Sequence, residues 1–248
     1  MIGDPFHERE YALRLEGVFQ NEEELEHYVS DGWERIQVVL SLLTKLQRNG
    51  VRDVLELGSN PYIMTVLMRR RLGLKAKLAN FFNEGFNSAE STHVAGLDGQ
   101  RTEFPFRHFN IERDRFPYDE NSFDCVLFCE VLEHLLLNPD RAVAEIARVL
   151  RPGGYLIVST PNATRLSNLY FLALGENIWE GYSEHGAYGR HNREFTLTEV
   201  CDLLGRNGFE VDHAEARNIE VLAKRFRYFQ WLRPTVWNAH LFVVGRLP

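Results

Sequence analysis

The fold is decided by residues 123–135, which read FDCVLFCEVLEHL. The first seven residues are apolar except for Asp124 and follow the acidic turn at 118–121, and such a run predicts a buried strand. Glu130, Glu133 and His134 follow directly where this strand ends. Ligands bind outside the carboxyl ends of the strands in open α/β sheets, so these polar side chains are candidates for a functional site.

Strands and helices alternate on both sides of this stretch. Short apolar runs predict strands, and segments with apolar residues three or four positions apart predict helices between them. Thr196 and Glu199 form a capping box that opens one of these helices. The alternation is typical of a parallel sheet with right-handed crossovers. The predicted strands are 51–57, 74–82, 106–109, 123–129, 155–159, 209–211 and 239–245.

The first 49 residues are expected to form helices outside the sheet. Apolar residues recur at helical spacing from Trp33 to Leu46. We therefore predict an N-terminal helical cap or lid over 1–49 and a main domain over 50–248. Within the main domain, the stretch 82–107 is rich in Gly, Asn and Ser. It is expected to form a loop with a short hairpin that pairs 92–97 with 102–106.

Composition and charge exclude several classes of protein. With 248 residues, 44% of them hydrophobic and 25% charged, the chain is typical of a globular protein that needs no disulfide or metal to fold. The net charge of −7 argues against a nucleic-acid partner, because binding phosphates requires a surplus of Lys and Arg. No segment resembles a signal peptide or approaches the length of a membrane span, and we expect a cytoplasmic protein.

Four blocks of sequence together resemble the class I S-adenosylmethionine-dependent methyltransferases with a methyltransferase type 11 or 23 domain. They lie in family order at 54–60 (VLELGSN), 123–135, 145–154 (EIARVLRPGG) and 159–162 (STPN). The resemblance implies a Rossmann-like α/β fold, with a doubly wound, mostly parallel seven-stranded sheet and N-terminal helices. It also implies methyl transfer as the reaction and S-adenosyl-L-methionine as the cofactor.

The resemblance places cofactor contacts at the ends of successive strands. The loop after the first strand carries one glycine, Gly58, where the family has a glycine-rich run. Asn80 stands where the family often has an acid for the ribose hydroxyls, with Glu84 as the alternative, and Asn110 stands where the family contacts adenine. Asn80 lacks charge assistance, so we expect weaker ribose binding. The predicted cofactor-binding residues are Glu56, Gly58, Ser59, Asn60, Tyr62, Asn80, Phe81, Asn110, Ile111, Cys129, Glu130 and Val131.

Histidines after the fourth and fifth strands of the main domain are the candidate catalytic groups. A hydroxyl acceptor needs a proton acceptor, and a placed base typically adds roughly 10²–10⁴-fold to the rate. His134 is the first candidate for this base, because an unperturbed imidazole accepts protons near neutral pH, and a packing role at a helix start is the alternative. His185 and His191 are rivals in a polar loop. The predicted catalytic residues are His134, Glu133, His191 and His185.

The loop at 179–192 indicates the kind of acceptor. It combines aromatic residues with polar and charged ones, and carbohydrates are bound by hydrogen-bonding side chains beside aromatic platforms. We therefore expect O-methylation of a hydroxyl on a saccharide or a polysaccharide precursor. Some sugar methyltransferases use a divalent metal, but the spacing of Glu184, His185 and His191 is not a specific metal signature. We accordingly predict no metal site.

Other functions fit parts of the same pattern. A methyltransferase for a non-sugar small molecule, such as a quinone precursor, a phenol or a fatty acid, would share the cofactor blocks. A non-catalytic cofactor-binding protein fits the single glycine and Asn80. A nicotinamide oxidoreductase would need a fuller glycine loop. The basic and aromatic segment 224–233 fits a lid, a nucleic-acid contact, an anionic or lipid-linked acceptor, or a subunit interface. For the whole protein, we expect a small-molecule or oligosaccharide acceptor and no nucleic acid as the partner, and a homodimer is a further option.

Overall fold

A computed structural model describes residues 5–82, 89–179, 181–182, 186–219 and 235–248 of the chain. The chain divides into two compact units, residues 1–110 and 111–248. The α-helices are α1 (Pro5–Ala12), α2 (Glu22–Arg48), α3 (Ile63–Leu72), α4 (Asp140–Val149), α5 (Leu166–Ala173) and α6 (Leu197–Arg206). The strands are β1 (Leu15–Glu16), β2 (Val54–Leu57), β3 (Lys77–Asn80), β4 (Glu90–Leu97), β5 (Gln100–His108), β6 (Phe123–Cys129), β7 (Leu150–Pro161), β8 (Glu210–Arg217) and β9 (His240–Arg246).

In the first unit, the strands lie in the order β1-β4-β5-β3-β2. β3 pairs in parallel with both β2 and β5, while β4 pairs antiparallel with β5 and with β1. All four residues of β2 are buried, as expected for a strand in the interior of a sheet. Asn80 at the end of β3 lies opposite His108 at the end of β5. The carboxyl ends of these parallel strands therefore meet at one edge.

The hairpin of the first unit is longer than the sequence predicts. β4 and β5 pair from Glu90 opposite Arg107 to Leu97 opposite Gln100. Asp98 and Gly99 make the two-residue turn with φ of +53° and +73°. Positive φ values at both central residues are typical of a type I′ turn, whose twist matches that of the flanking strands, and Asp-Gly is a favoured sequence for this turn. The predicted pairing of 92–97 with 102–106 is confirmed and extended.

The N-terminal residues are largely helical, as predicted. α2 is one helix of 27 residues, and the side chain of its N-cap Asn21 accepts a hydrogen bond from the backbone N–H of Glu24. α1 is tied down by an ion pair between Glu8 and Arg71, whose side chains are both nearly buried. β1 was not predicted from the sequence, because it has only two residues. The cap or lid role of 1–49 stays a prediction.

In the second unit, the strands lie in the order β6-β7-β9-β8. β6 and β7 are parallel, whereas β9 pairs antiparallel with β7 and β8. β6 has the predicted limits, and α4 buries a stripe of four apolar side chains. The capping box of α6 is confirmed, because the side chain of Thr196 accepts from the Glu199 N–H and the Glu199 carboxylate accepts from the Thr196 N–H.

The described residues thus contain nine strands rather than seven, and the pairing is mixed. Within the two units, three strand pairings are parallel and four are antiparallel. The prediction of a mostly parallel sheet was wrong because β1, β4 and β9 all join antiparallel to their neighbours. α5 was also missed, since its residues are largely exposed and show no buried stripe. In the part of the chain that the structure describes, no helix has the length and apolar character needed to span a membrane.

Candidate functional site

The loop between β2 and α3 is held by Asn80, the last residue of β3. The Asn80 side-chain oxygen accepts hydrogen bonds from the Ser59 hydroxyl at 3.1 Å and from the Asn60 backbone N–H at 2.9 Å. Its side-chain nitrogen donates to the Tyr62 hydroxyl at 3.3 Å. Asn80 is only 5% exposed. The residue that the sequence analysis assigns to the ribose therefore also fixes the loop that follows β2.

Two residues of this loop have a left-handed backbone. Gly58 and Tyr62 both have φ of +68°, a conformation that suits glycine and is unfavourable for tyrosine. The Tyr62 ring is fully buried and stacks on Phe104 with 4.4 Å between ring centroids. Burial raises the pKa of the Tyr62 hydroxyl. The sequence predicts that α3 begins at Pro61. Because Tyr62 is the N-cap, the helix begins at Ile63, two residues later.

Glu56 is a buried acid in β2, two residues before Gly58. It is 5% exposed, and the Thr65 hydroxyl donates a hydrogen bond to its carboxyl group at 2.6 Å. Burial raises the pKa of Glu56 to about 8, against the smaller opposing effects of Thr65 and Arg69. A carboxyl group with this pKa is largely protonated at neutral pH. Thr65 and Arg69, the two residues that act on the Glu56 carboxyl group, both lie in the first unit.

Asn110 and Phe81 complete the predicted cofactor residues of the first unit. Asn110 is 5% exposed and lies two residues after β5. Phe81 directly follows β3, and its ring stacks on that of His108 with 5.2 Å between centroids. Both residues therefore stand at the carboxyl ends of parallel strands, as predicted. Glu84, the alternative for the ribose, lies outside the described residues.

The second unit brings three of the four predicted catalytic residues together. One side-chain ligand atom each of Glu133, His134 and His191 lies within 4.8 Å of the other two. The rings of His134 and His191 meet edge to face, with 5.0 Å between centroids. We name these three residues the Glu-His-His cluster. The fourth residue, His185, lies outside the described residues.

Glu133 is the buried member of the Glu-His-His cluster. It is 0% exposed, and one carboxyl oxygen, Oε2, accepts a hydrogen bond from the Thr160 hydroxyl at 3.0 Å. The other oxygen, Oε1, is buried and has no hydrogen-bond partner among the described residues. Burial, and then the charge of Glu130, raises the pKa of Glu133, with a smaller opposing effect of His191. This carboxyl group thus combines deep burial with one unsatisfied oxygen.

The two histidines are oriented by the loop that carries His191. His134 Nδ1 lies 2.9 Å from the backbone oxygen of Arg190, so Nδ1 carries the hydrogen and the Nε2 atom carries the lone pair. The Asn192 side-chain nitrogen donates a hydrogen bond to the backbone oxygen of His134 at 2.9 Å. The Asn192 backbone N–H donates to the backbone oxygen of Glu133 at 2.7 Å. Asn192 was not among the predicted site residues, although it lies next to His191.

Glu130 lies at the centre of a second polar group in the same unit. Its backbone has φ of +56°, and one carboxylate oxygen accepts a hydrogen bond from the Ser159 hydroxyl at 2.6 Å. The same oxygen lies 2.7 Å from Nε2 of His240, which is nearly buried. Ser159 lies opposite Cys129 in the pairing of β6 with β7. The contacts of Ser159 and His240 with Glu130 were not predicted from the sequence.

Three further predicted cofactor residues, Ile111, Cys129 and Val131, belong to the second unit. Cys129 is half-buried at the end of β6, and Val131 precedes a short 3-10 helix formed by Leu132–His134. Ile111 is half-buried and follows directly after Asn110. Cys129 thus lies at the end of a strand, and Val131 and Ile111 lie shortly after strand ends, where the resemblance puts them. Their contact with a cofactor stays a prediction.

Comparison with known proteins then identifies the family. A family model described as "Methyltransferase domain" matches residues 25–214, which is most of the chain.

The chain belongs to the methyltransferase-domain family. The predicted methyltransferase enzyme and its cofactor, S-adenosylmethionine, are confirmed at the level of this family.

Relatives and solved structures agree with this assignment. A protein of Mycolicibacterium smegmatis named "Probable S-adenosylmethionine-dependent methyltransferase" is 31% identical over 168 residues, covering 65% of this chain and 53% of the relative. A ubiquinone biosynthesis O-methyltransferase of Maricaulis maris is 33% identical over 111 residues, covering 43% of this chain and 42% of the relative. The chain spans about half the length of the curated relatives it matches. A methyltransferase structure from Archaeoglobus fulgidus has the same fold, with a TM-score of 0.56, 14% identity and coverage of 89% of this chain and 99% of that one.

Three residues of the first unit, Gly58, Asn80 and Asn110, have the chemical properties needed to bind S-adenosylmethionine. A ribose diol and an adenine ring can be bound by amide side chains, which both donate and accept hydrogen bonds. Asn80 and Asn110 supply two such buried amides at the ends of β3 and β5. Gly58 supplies a loop residue that has no side chain and a positive φ, which permits close approach of a ligand to the backbone.

Proposed function

We propose that this methyltransferase-domain protein transfers a methyl group from S-adenosylmethionine to a hydroxyl of a saccharide or polysaccharide precursor, with His134 as the proton acceptor. The observation that carries the proposal is the orientation of His134. Its Nδ1 donates to the Arg190 backbone oxygen at 2.9 Å, so the basic Nε2 atom is held in a fixed position in the Glu-His-His cluster. A positioned imidazole of this tautomer is suited to take the proton of a hydroxyl.

The roles of the chain's own residues follow from their contacts. Asn80, Asn110 and Gly58 would hold the cofactor, which supplies an electrophilic methyl group on a sulfonium. In the proposed reaction, the acceptor oxygen would form a bond to the methyl carbon as the carbon–sulfur bond of the sulfonium breaks, which would release S-adenosylhomocysteine. The proton of the acceptor hydroxyl would pass to Nε2 of His134. Asn192 keeps the His134 segment in place through two hydrogen bonds. Positioning of this kind supplies a large part of the rate in a bimolecular transfer.

Exposed aromatic side chains support a saccharide acceptor. Tyr182 is 94% exposed and Trp179 is 53% exposed. The guanidinium of Arg190 lies over the Tyr182 ring at 4.7 Å from its centroid. Flat, exposed rings beside hydrogen-bonding groups are suited to the faces of a sugar ring. Since the backbone oxygen of Arg190 also contacts Nδ1 of His134, Arg190 connects the proposed sugar platform at Tyr182 with the proposed base.

A second candidate is an apolar hydroxyl compound, such as a phenol. α5 and the residue that follows it expose several apolar side chains, and such patches often bind apolar partners. The Maricaulis maris relative is named for an O-methylation in ubiquinone biosynthesis, which is compatible with this alternative. The exposed apolar side chains are Leu169, Tyr170, Phe171, Leu172 and Leu174.

A methyl-transfer assay with labelled S-adenosylmethionine tests the proposal. Panels of saccharides and of phenols are offered to the wild-type protein, and the best acceptor is then used with His134→Ala and with His27→Ala, an exposed histidine of α2. We expect turnover on a saccharide, a fall in kcat of roughly 10²–10⁴-fold in His134→Ala, and no change in His27→Ala. Turnover on phenols alone would contradict the saccharide acceptor, and an unchanged kcat in His134→Ala would contradict the base.

A further inference from the structure

We propose that the Glu-His-His cluster (Glu133, His134 and His191) is also a binding site for one divalent transition-metal ion, with zinc as the best fit. The three ligand atoms already lie within 4.8 Å of one another. In a tetrahedral zinc site with bonds of 2.0–2.1 Å, ligand atoms are roughly 3.4 Å apart. Small rotations of the side chains would therefore bring all three onto one ion.

The unsatisfied oxygen of Glu133 is the first reason for this assignment. Glu133 is fully buried, and its Oε1 atom has no hydrogen-bond partner among the described residues. Buried polar atoms of native proteins are nearly always satisfied, and leaving one unsatisfied is costly. The Thr160 hydroxyl holds the other oxygen, which fixes the carboxyl group in place. A cation at the cluster would satisfy the remaining oxygen.

The outer contacts of the two histidines are the second reason. A histidine that ligates a metal commonly donates its other ring N–H to a carboxylate or a backbone carbonyl. His134 Nδ1 lies 2.9 Å from the Arg190 carbonyl, and His191 Nδ1 lies 3.6 Å from a carboxylate oxygen of Glu194. The Arg165 guanidinium in turn holds Glu194 at 2.5 Å. Glu133 and His134 therefore each have a hydrogen-bonded supporting group, and His191 has a carboxylate near its Nδ1 atom.

The ligand types select the kind of ion. Two imidazoles and one carboxylate form a common protein ligand set of zinc, in which a fourth position stays open. Magnesium and calcium prefer sites made of oxygen ligands alone, so two nitrogen ligands disfavour them. No metal site was predicted from the sequence, because the spacing of Glu184, His185 and His191 is not a metal signature. The actual cluster joins Glu133 and His134 to a residue more than 50 positions later.

Metal binding would inhibit methyl transfer, and this part of the inference rests on the proposed function. The Nε2 lone pair of His134 is the proposed proton acceptor, and the same histidine is a proposed ligand. A lone pair that binds zinc does not accept a proton. The metal-free protein is therefore the active form, and zinc lowers the rate reversibly.

Calorimetric titration of the full chain with zinc chloride, after treatment with a chelator, tests the site. We expect one zinc ion per chain, with binding weakened at least about 100-fold in His191→Ala and roughly 10- to 100-fold in Glu194→Gln, which alters only a supporting group. His27→Ala serves as the control, because this exposed histidine lies outside the cluster. Circular dichroism of each variant confirms folding. No zinc binding, or binding that the cluster variants leave unchanged, would overturn the site.

Two further measurements separate the site from the proposed function. Cobalt(II), which replaces zinc, should give visible absorption bands of a four-coordinate site in the wild type and lose them in His191→Ala. S-adenosylmethionine binding and methyl transfer are measured on the metal-free protein and again after addition of zinc. Turnover that falls with zinc and returns with chelator is expected. Turnover that requires zinc would overturn the inhibitory role, whereas absent cofactor binding would contradict the proposed function and leave the zinc titration unaffected.

Discussion

Replacing Glu56 with glutamine should change how the stability of the protein depends on pH. Burial raises the pKa of Glu56 in the folded protein from the ordinary value of 4.5 to about 8. The folded protein therefore keeps this proton at pH values at which the unfolded chain has lost it. The resulting stabilisation is fully present below pH 4.5 and is lost as pH rises through 8. Glutamine has nearly the same shape, still accepts a hydrogen bond from Thr65 and does not titrate.

The expected magnitude follows from one proton. Between the two pKa values, the wild type loses about 1.4 kcal/mol of unfolding free energy per pH unit relative to Glu56→Gln. From pH 5.5 to 7.5, the difference between the two proteins should therefore grow by about 2–3 kcal/mol in favour of the variant. Other titrating groups are common to both proteins and cancel in this difference.

Urea denaturation of both proteins at pH 5.5, 6.5 and 7.5 measures the effect. Glu26→Gln, which changes an exposed glutamate of α2, is the matched control and should show a constant difference from the wild type. A Glu56→Gln difference that stays constant across the three pH values would refute the reasoning. Such a result would mean that Glu56 is ionised in the folded protein.

Three further predictions concern single side chains. Asn80→Asp keeps an acceptor for the β2–α3 loop and adds a negative charge that strengthens hydrogen bonds from the ribose hydroxyls. Cofactor affinity measured by calorimetry should therefore rise about fivefold. Weaker binding would contradict the ribose role of this position. Thr196→Ala removes the cap of α6 and should lower the unfolding free energy in urea by about 1 kcal/mol, whereas no loss would mean the cap is not formed in solution. The hydrogen bond from Arg148 holds the pKa of Glu145 below its usual value, so the ionised carboxylate stabilises the folded protein at pH 7. Glu145→Gln should therefore lower Tm at pH 7. The decrease in Tm should become smaller as the pH falls through the lowered pKa of Glu145, because the wild type then loses the same stabilisation. A loss independent of pH would contradict the last prediction.

Local patterns predicted much of the fold. The apolar run of β6 was predicted with its observed limits, and the capping box at Thr196 fixed the start of α6. These features depend on neighbouring residues, so they can be read from a single sequence. β1 was missed because two residues carry no periodicity, and β9 was not expected to be antiparallel because strand direction depends on the chain path.

The candidate site was predicted in part for the same reason. Glu133 and His134 follow a recognisable strand, and His191 was noted in a polar loop, so the members of the cluster were identified singly. Their contact depends on the path of the loop, which the Asn192 hydrogen bonds fix. The contact of His240 with Glu130 joins residues 110 positions apart through the pairing of β7 with β9. No local sequence signal reports a contact of that kind.

The central claim is that this methyltransferase-domain chain binds S-adenosylmethionine. Calorimetric titration of the purified protein with S-adenosylmethionine, S-adenosylhomocysteine and NADH tests it most directly. We predict one-to-one binding of the first two compounds and no binding of NADH. If neither S-adenosylmethionine nor S-adenosylhomocysteine bound, the loop at Gly58 and Asn80 would not be a cofactor site, and the proposed enzyme would be contradicted.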